Sequence, residues 1–264
     1  NTQKKIWGEF AGLQWREIPI FFDFFNEGKA IHMYRDPRAV LASWKKLSSI
    51  PNNAYLNCIF NWVDSTNYLL KYKRIFNSNV YFPIKYEDIM INPKKNVLKL
   101  IDFIGVEKNN ILFKPEKWSN SFNPKLVTIP RSAHEGDKIL GFSKSRINNW
   151  KNNLEDWEIA LTEFICSKNM KELGYKKVFN NNSKVEKLIK KGVKEINKNK
   201  LINYNFKNFI KNDVGTNKYP TDPTDPRSWG QKSNPSKWFI DSQEGKDYLQ
   251  DLAKSTKRIK ERYL

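Results

Sequence analysis

The stretch AIHMYRDPRAV, residues 30–40, guides the interpretation of the whole sequence. Its first residues are almost continuously apolar, as in a strand that lies in the middle of a parallel sheet. Asp36 and Pro37 then suit the N-cap and the first position of a helix that continues through RAVLASWKKL. The sequence therefore predicts a strand, a tight turn and a helix, with Arg35 at the carboxyl end of the strand.

Strands and helices alternate in the region that follows. A helix is predicted from Ala54 to about Phe76, and the run VYFPIKYEDI reads as a second strand. Another helix begins after Asn92-Pro93 and is closed by Gly105. The aromatic segment IWGEFAGLQWREIPIFFDFF predicts one or two buried helices broken near Pro19, and a further helix is predicted from about Glu155 to Leu173. This alternation favours an α/β fold with a parallel sheet.

The position of Arg35 suggests an anion site. Open α/β sheets bind ligands beyond the carboxyl ends of their strands, where the N-terminus of the next helix offers backbone N–H groups. The forked guanidinium of Arg35 suits a phosphate, and Ser43 follows eight residues later, about two helical turns along. The alternative is that Arg35 pairs with a nearby carboxylate and Ser43 is an incidental helix serine.

Three segments, in order, resemble the sulfotransferase family, whose members use 3'-phosphoadenosine 5'-phosphosulfate as donor. YRDPRAVLAS resembles the 3'-phosphate signature, in which an arginine and a serine eight positions later bind the phosphate; these are Arg35 and Ser43. IKYEDIMINPKKNVLKLIDFIGV resembles the segment that begins Tyr-Glu-Asp, and SRINNWKNNL the late Arg and Trp-Lys motif. Spanning residues 31–154, the resemblance implies a P-loop-like three-layer fold with a parallel sheet flanked by helices.

The resemblance also implies roles for single residues. Tyr86 would contact the nucleotide; the alternative is that it is a core aromatic. Arg146 would add a second charge to the 3'-phosphate from a loop that closes over the donor, unless it is a solvated arginine at a helix start.

The acceptor proton requires a general base, which is usually His or Glu in this family. His32 lies in the predicted strand and is interpreted as a core residue, and His134 lies in the loop RSAHEGD. Glu9 is the candidate catalytic residue, because WGEFAG occupies the place of a WGEKTP-like family segment. The sequence departs from that pattern at Phe10, where the family has lysine.

A loop rich in Gly, Ser and Thr with a lysine, which cradles the 5'-phosphosulfate in the family, does not occur in the sequence. We therefore expect that an N-terminal piece of the protein precedes residue 1. We also expect residues 1–264 alone to be inactive and the full protein to be a sulfotransferase.

A change of composition near residue 178 predicts two domains. Residues 1–178 form the sulfotransferase-like domain, and residues 179–264 form a basic, mostly helical and turn-rich extension. The extension contains a Lys- and Asn-rich amphipathic stretch at 180–211 and a final helix from about Asp241. We expect Trp229 and Trp238 to anchor it and its surface to contact the acceptor or a partner.

The charge of the chain limits the class of partner. Lys and Arg outnumber Asp and Glu by 47 to 28, for a net charge of +19, which favours anionic partners such as the nucleotide donor. The resemblance implies an acceptor hydroxyl or amine on a glycan, a lipid or a small molecule. The alternatives are a basic nucleic-acid or polyanion-binding protein and a non-catalytic nucleotide-binding relative. Because no nucleic-acid motif appears, no specific nucleic acid is expected.

The two cysteines, Cys58 and Cys166, lie in apolar, helix-like stretches. They are interpreted as buried free thiols rather than as a disulfide or a metal site. No metal is expected, and no run of apolar residues is long enough to span a membrane. The cysteine content and the lack of a visible signal sequence favour the cytoplasm.

Overall fold

The structure is a computed structural model that describes residues 6–10, 15–47, 53–114, 142–180, 182–213 and 215 of the 264-residue chain. The chain divides into two compact units. One comprises Asn1–Ala30 together with Tyr219–Leu264, and the other comprises Ile31–Lys218. The predicted final helix after Asp241, as well as Trp229, Trp238 and His134, lies outside the described residues.

The first unit contains a 3-10 turn at Trp15–Glu17 and helix α1 (Ile18–Phe24). Pro19 lies in the first turn of α1, where no intrahelical N–H bond is needed, so the proline begins the helix rather than breaking it. The prediction of a buried helix was wrong, because Phe24 and Phe25 are each 53% exposed. Aromatic content alone does not reveal which rings face inward. The Phe21 and Phe25 rings pack on each other, with their centroids 5.2 Å apart.

The second unit has a two-stranded parallel sheet made of β1 (Ala30–Tyr34) and β2 (Tyr81–Lys85). The connection between the strands contains α2 (Pro37–Leu47), a 3-10 turn at Ala54–Leu56 and α3 (Asn57–Ile75). After β2 come α4 (Tyr86–Ile91), α5 (Pro93–Ile104) and a 3-10 turn at Asn110–Phe113. The predicted alternation of strand and helix is therefore confirmed.

The elements of the described residues after 141 are helices and 3-10 turns. Two 3-10 turns, Lys144–Arg146 and Asn149–Asn152, precede α6 (Asp156–Ile165), α7 (Ser167–Glu172), α8 (Ser183–Asn197) and α9 (Lys200–Asn212). The single helix predicted over 155–173 is two helices, which meet at Cys166. The described part of the chain is thus a mixed α/β structure that is mostly helical, and the three-layer P-loop-like arrangement stays a prediction.

Helix ends follow the signals in the sequence. An Asp36 carboxylate oxygen (Oδ1) accepts a hydrogen bond from the Arg38 backbone N–H at 2.9 Å, which makes Asp36 the predicted N-cap of α2. Gly105 ends α5 with φ of 85°, in the left-handed region that favours glycine. These local groups fix where β1 stops and where α2 starts.

Helix α3 lies at the centre of the core and contacts α2, α6 and α9. Its buried side chains are Cys58, Ile59, Phe60, Trp62, Val63, Asp64, Thr66, Leu69 and Tyr72. Cys58 and Cys166 are both buried and free, as predicted, and burial raises the pKa of each thiol. Such thiols are poor nucleophiles at neutral pH.

Helices α8 and α9 pack on this same core. A Cβ added at Gly192 of α8 would lie 3.0 Å from Leu161 of α6, so the two helices approach closely there. Asn205 of α9 donates a hydrogen bond to Asn57 of α3 at 2.7 Å. The domain boundary near residue 178 stays a prediction. Within the described ranges, no helix is both long enough and apolar enough to cross a membrane.

Candidate functional site

The turns that follow β1 and β2 lie against each other. The backbone N–H of Asp36 donates a hydrogen bond to Glu87 Oε1 at 2.9 Å. The other oxygen of Glu87 accepts a hydrogen bond from the Tyr175 hydroxyl at 3.0 Å. Glu87 is only 6% exposed, so this carboxylate joins the two strand ends and the segment after α7 from within the protein.

Arg35 lies at the junction of these turns. Its Nη2 donates a hydrogen bond to the carbonyl oxygen of Arg146 at 2.8 Å, across 111 residues of sequence. Its guanidinium carbon lies 4.2 Å from the centroid of the Tyr86 ring, which is cation–π distance. The indole N–H of Trp62 donates to the Arg35 carbonyl at 2.8 Å and fixes the backbone there. The structure thus brings together three of the five candidate residues: Arg35, Tyr86 and Arg146.

The Arg35 side chain retains an unused donor. Its Nε is buried and has no hydrogen-bond partner. Within the described part of the chain, Arg35 contacts a carbonyl and an aromatic ring and forms no ion pair, so the alternative of a carboxylate partner is not observed there. A buried donor without a partner costs free energy, and a bound anion would satisfy both the donor and the charge.

The other candidate residues lie in four different parts of the chain. Ser43 is half-buried in α2, two turns after Arg35. Glu9 belongs to the exposed stretch 6–10 of the first unit. Tyr86 lies within the run that was predicted as the second strand, but in the structure β2 ends at Lys85 and Tyr86 is the first residue of α4. Arg146 is half-buried at the end of its 3-10 turn.

His32 is the core residue that the sequence indicated. Its Nδ1 lies 2.6 Å from the Tyr81 hydroxyl oxygen, and its Nε2 lies 2.9 Å from Ser65 Oγ. Burial lowers the pKa of His32 to about 4, so the ring is neutral at physiological pH. With both nitrogens occupied, His32 is poorly placed to accept a proton from an acceptor substrate.

Sequence reasoning missed the role of Arg38, the second arginine of the turn. Arg38 is 4% exposed, and its guanidinium bonds Asp36 through Nε at 2.9 Å and Nη2 at 2.6 Å. Its Nη1 donates to Glu163 of α6 at 2.6 Å. The Asp two residues before Arg38 is a local signal for the first pair. Nothing in the sequence indicates Glu163, which lies 125 residues away.

A cleft of about 350 Å³ lies in the second unit, beside the Trp150 segment. Four lysines line it, and the Nζ of one of them, Lys85, lies 4.1 Å from the Tyr175 ring centroid. Three acidic residues line the same wall: Asp36 and Glu87, which are already engaged with Arg38 and Tyr175, and the exposed Asp88. The lysines are Lys85, Lys151, Lys176 and Lys177. The surroundings of the cleft therefore favour an anionic occupant.

Residues 13–110 match the model of the sulfotransferase family. This stretch of the chain is therefore similar to the sulfotransferase family. The match includes Arg35, Ser43 and Tyr86, whereas Arg146 lies beyond it and contacts the matched segment through its hydrogen bond with Arg35. The motif assignments around Arg35 and Tyr86 therefore fall within the matched region.

Two solved structures are similar to this chain. One is the sulfotransferase domain from the Synechococcus PCC 7002 olefin synthase, with 22% identity, a TM-score of 0.45, and coverage of 56% of this chain and 50% of that one. The other is the sulfotransferase domain from the curacin biosynthetic pathway, with 17% identity, a TM-score of 0.48, and coverage of 62% and 59%. The chain thus spans between half and three fifths of the length of these structures.

Proposed function

We propose that the protein is a sulfotransferase that uses 3'-phosphoadenosine 5'-phosphosulfate as donor and a hydroxyl or amine as acceptor. The observation that supports this most is the setting of Arg35, which has a buried, unpartnered Nε and lies against Tyr86 and the Arg146 carbonyl. In the proposal, Arg35, Ser43 and Arg146 hold the 3'-phosphate, and Tyr86 contacts the nucleotide.

The residues fit such a donor chemically. A guanidinium offers several N–H donors in one plane and matches a phosphate, and partial burial strengthens each charge-assisted bond. The ring of Tyr86 gives the guanidinium a flat support, and the Trp62 bond holds the Arg35 backbone in place. An anion at Arg35 would therefore meet a side chain that is already oriented.

The bound donor would supply the sulfuryl group and 3',5'-bisphosphoadenosine as leaving group. The acceptor oxygen or nitrogen forms a bond to sulfur, the bond from sulfur to the 5'-phosphate oxygen breaks, and a base takes the acceptor proton. Because such transfers depend on positioning and electrostatics, the task of Arg35, Ser43 and Arg146 would be to orient the donor. Glu9 is the base in this proposal.

The proposal extends to the surroundings of the site. The proposal includes a P-loop-like three-layer fold with a parallel sheet. In it, the acceptor is a glycan, a lipid or a small molecule. The excess of basic residues, 47 against 28, fits an anionic donor. Two free, buried cysteines fit a reducing compartment such as the cytoplasm.

Calorimetry with 3',5'-bisphosphoadenosine tests the donor site. A charge-assisted hydrogen bond contributes about 1.5 to 3 kcal/mol, so Arg35→Ala should weaken binding roughly tenfold to more than a hundredfold. Ser43→Ala should cost less, because its hydroxyl carries no charge. Arg74→Ala is the matched control, since Arg74 is an exposed arginine at the end of α3.

Unchanged affinity in Arg35→Ala would contradict the assignment. Adenosine 5'-monophosphate, which lacks the 3'-phosphate, should bind the parent and Arg35→Ala about equally. A polyanion-binding protein would instead retain duplex DNA at physiological salt and would not distinguish the two nucleotides.

A further inference from the structure

Arg38 lies three residues after Arg35, but its hydrogen bonds are already made. Three of its nitrogens bond two carboxylates, those of Asp36 and Glu163. Glu163 in turn accepts the backbone N–H groups of Val178 at 2.8 Å and Phe179 at 3.2 Å. Because these carboxylates already take up the Nε, Nη1 and Nη2 donors of Arg38 and compensate its charge, Arg38 is not part of the proposed anion site.

The flat face of the Arg38 guanidinium makes a separate contact. Its central carbon lies 4.2 Å from the centroid of the Trp150 ring. Trp150 is 3% exposed and belongs to the 3-10 turn Asn149–Asn152. Since the guanidinium is held edge-on by carboxylates, its position is fixed and the indole packs against a rigid surface.

The same strand end therefore holds the segment 146–150 at both of its ends. Arg35 donates to the Arg146 carbonyl, and Arg38 stacks on Trp150 four residues later. Arg35 and Arg38 flank the Asp36-Pro37 pair, whose backbone is fixed by the Glu87 bond and by the start of α2. These two contacts tie the segment that carries Arg146 to the residues on either side of Asp36-Pro37.

We propose that Arg38 is a positioning residue for Arg146. By stacking on Trp150, it holds residues 146–150 where the Arg146 side chain reaches the 3'-phosphate, so less ordering is required when the nucleotide binds. This inference rests on the proposed donor site. In this proposal, Arg38 increases the preference for nucleotides that carry a 3'-phosphate, although it does not contact the nucleotide itself.

The ratio of two affinities measures this role. Arg38→Met keeps an apolar chain of similar length and removes the guanidinium. We expect it to lower the preference for 3',5'-bisphosphoadenosine over adenosine 5'-monophosphate about three- to thirtyfold, the range of a buried cation–π contact. Arg38→Lys, which keeps the charge, should recover part of this preference.

Lys45→Met is the matched control. Lys45 also joins α2 to α6 through a buried carboxylate, with its Nζ 2.7 Å from Glu158 Oε2. This variant should lose stability while its nucleotide preference stays unchanged. If Arg38→Met weakens both nucleotides by the same factor, or leaves both unchanged, the positioning role is wrong.

Hydrogen exchange without nucleotide provides the second measurement. Protection of residues 144–152 should fall in Arg38→Met and in Trp150→Leu but not in Lys45→Met. Trp150→Leu also keeps the proposal testable if Arg38→Met does not fold, because it should show the same loss of preference.

The two proposals fail in different ways. A parent protein that does not prefer the 3'-phosphorylated nucleotide contradicts the donor site, and the assignment of Arg38 falls with it. A parent that shows the preference, together with an Arg38→Met variant that keeps it, contradicts the positioning role alone.

Discussion

The turn after β1 has two sides with opposite electrostatic character. On one side, Arg38 is enclosed by two carboxylates and is 4% exposed. On the other side, Arg35 meets a carbonyl oxygen and an aromatic ring, and its Nε has no partner. Two arginines on one strand end can therefore serve different purposes, and the carboxylates around them determine which one is available to a ligand.

The largest expected effect is on the enclosed side. Removing one partner of a buried ion pair leaves an uncompensated charge, so Arg38→Met should lower the free energy of unfolding by about 3 to 5 kcal/mol. Arg35→Met removes one hydrogen bond and a ring contact and should cost about 1 kcal/mol. Urea unfolding followed by circular dichroism measures both. Equal losses of unfolding free energy in Arg38→Met and Arg35→Met would contradict the difference proposed between the two sides of the turn.

His32 of β1 is another buried polar side chain near Arg35 in the sequence, and both of its ring nitrogens are hydrogen-bonded. Because burial lowers its pKa in the folded state to about 4, from 6.5, the unfolded chain binds more protons between these values. The contribution of neutral His32 to the free energy of unfolding should be fully present above pH 6.5. It should decrease as the pH falls from 6.5 towards 4, with a loss of about 2 kcal/mol at pH 5.

Urea unfolding of the parent and of His32→Gln between pH 7.5 and pH 5 checks this dependence. The variant has no titrating group at position 32. Its free energy of unfolding should therefore fall by about 2 kcal/mol less than that of the parent between pH 7.5 and pH 5. Parallel pH profiles for the two proteins would show that His32 is not the group responsible.

The smallest effect concerns the backbone beneath Arg35. Trp62→Phe removes the indole N–H that donates to the Arg35 carbonyl and should lower stability by about 1 kcal/mol. If Arg35 binds the 3'-phosphate, the same change should weaken 3',5'-bisphosphoadenosine a few-fold. Trp44→Phe is a suitable control, since Trp44 is a 45% exposed tryptophan of α2. A similar response in both variants would count against a role for the Trp62 bond.

Local signals predicted much of the fold. The apolar run before Arg35, the Asp36 cap and Gly105 each act on their immediate neighbours, and the structure has β1, α2 and the end of α5 where these residues indicate. The burial of α1 was not predictable in this way, because it depends on which other elements lie against the helix. The break between α6 and α7 at Cys166 was likewise not predictable, because no glycine or proline lies there.

The site divides in the same manner. The resemblance to a family singled out Arg35, Tyr86 and Arg146, and the structure places these three together. The bond between Arg35 and the Arg146 carbonyl uses a backbone atom, which side-chain motifs do not encode. Arg38 was missed because Glu163 and Trp150 are distant in sequence, and only the folded chain places them around one guanidinium.

The two buried thiols make the protein convenient for site-directed labelling. Cys58 and Cys166 are the only cysteines in the sequence, and both are inaccessible with raised pKa values. A cysteine introduced at the exposed position Lys144 would therefore react with a maleimide dye or a spin label far faster than either native thiol. The parent sequence can thus report the motion of the Arg146 turn without first having its own cysteines replaced.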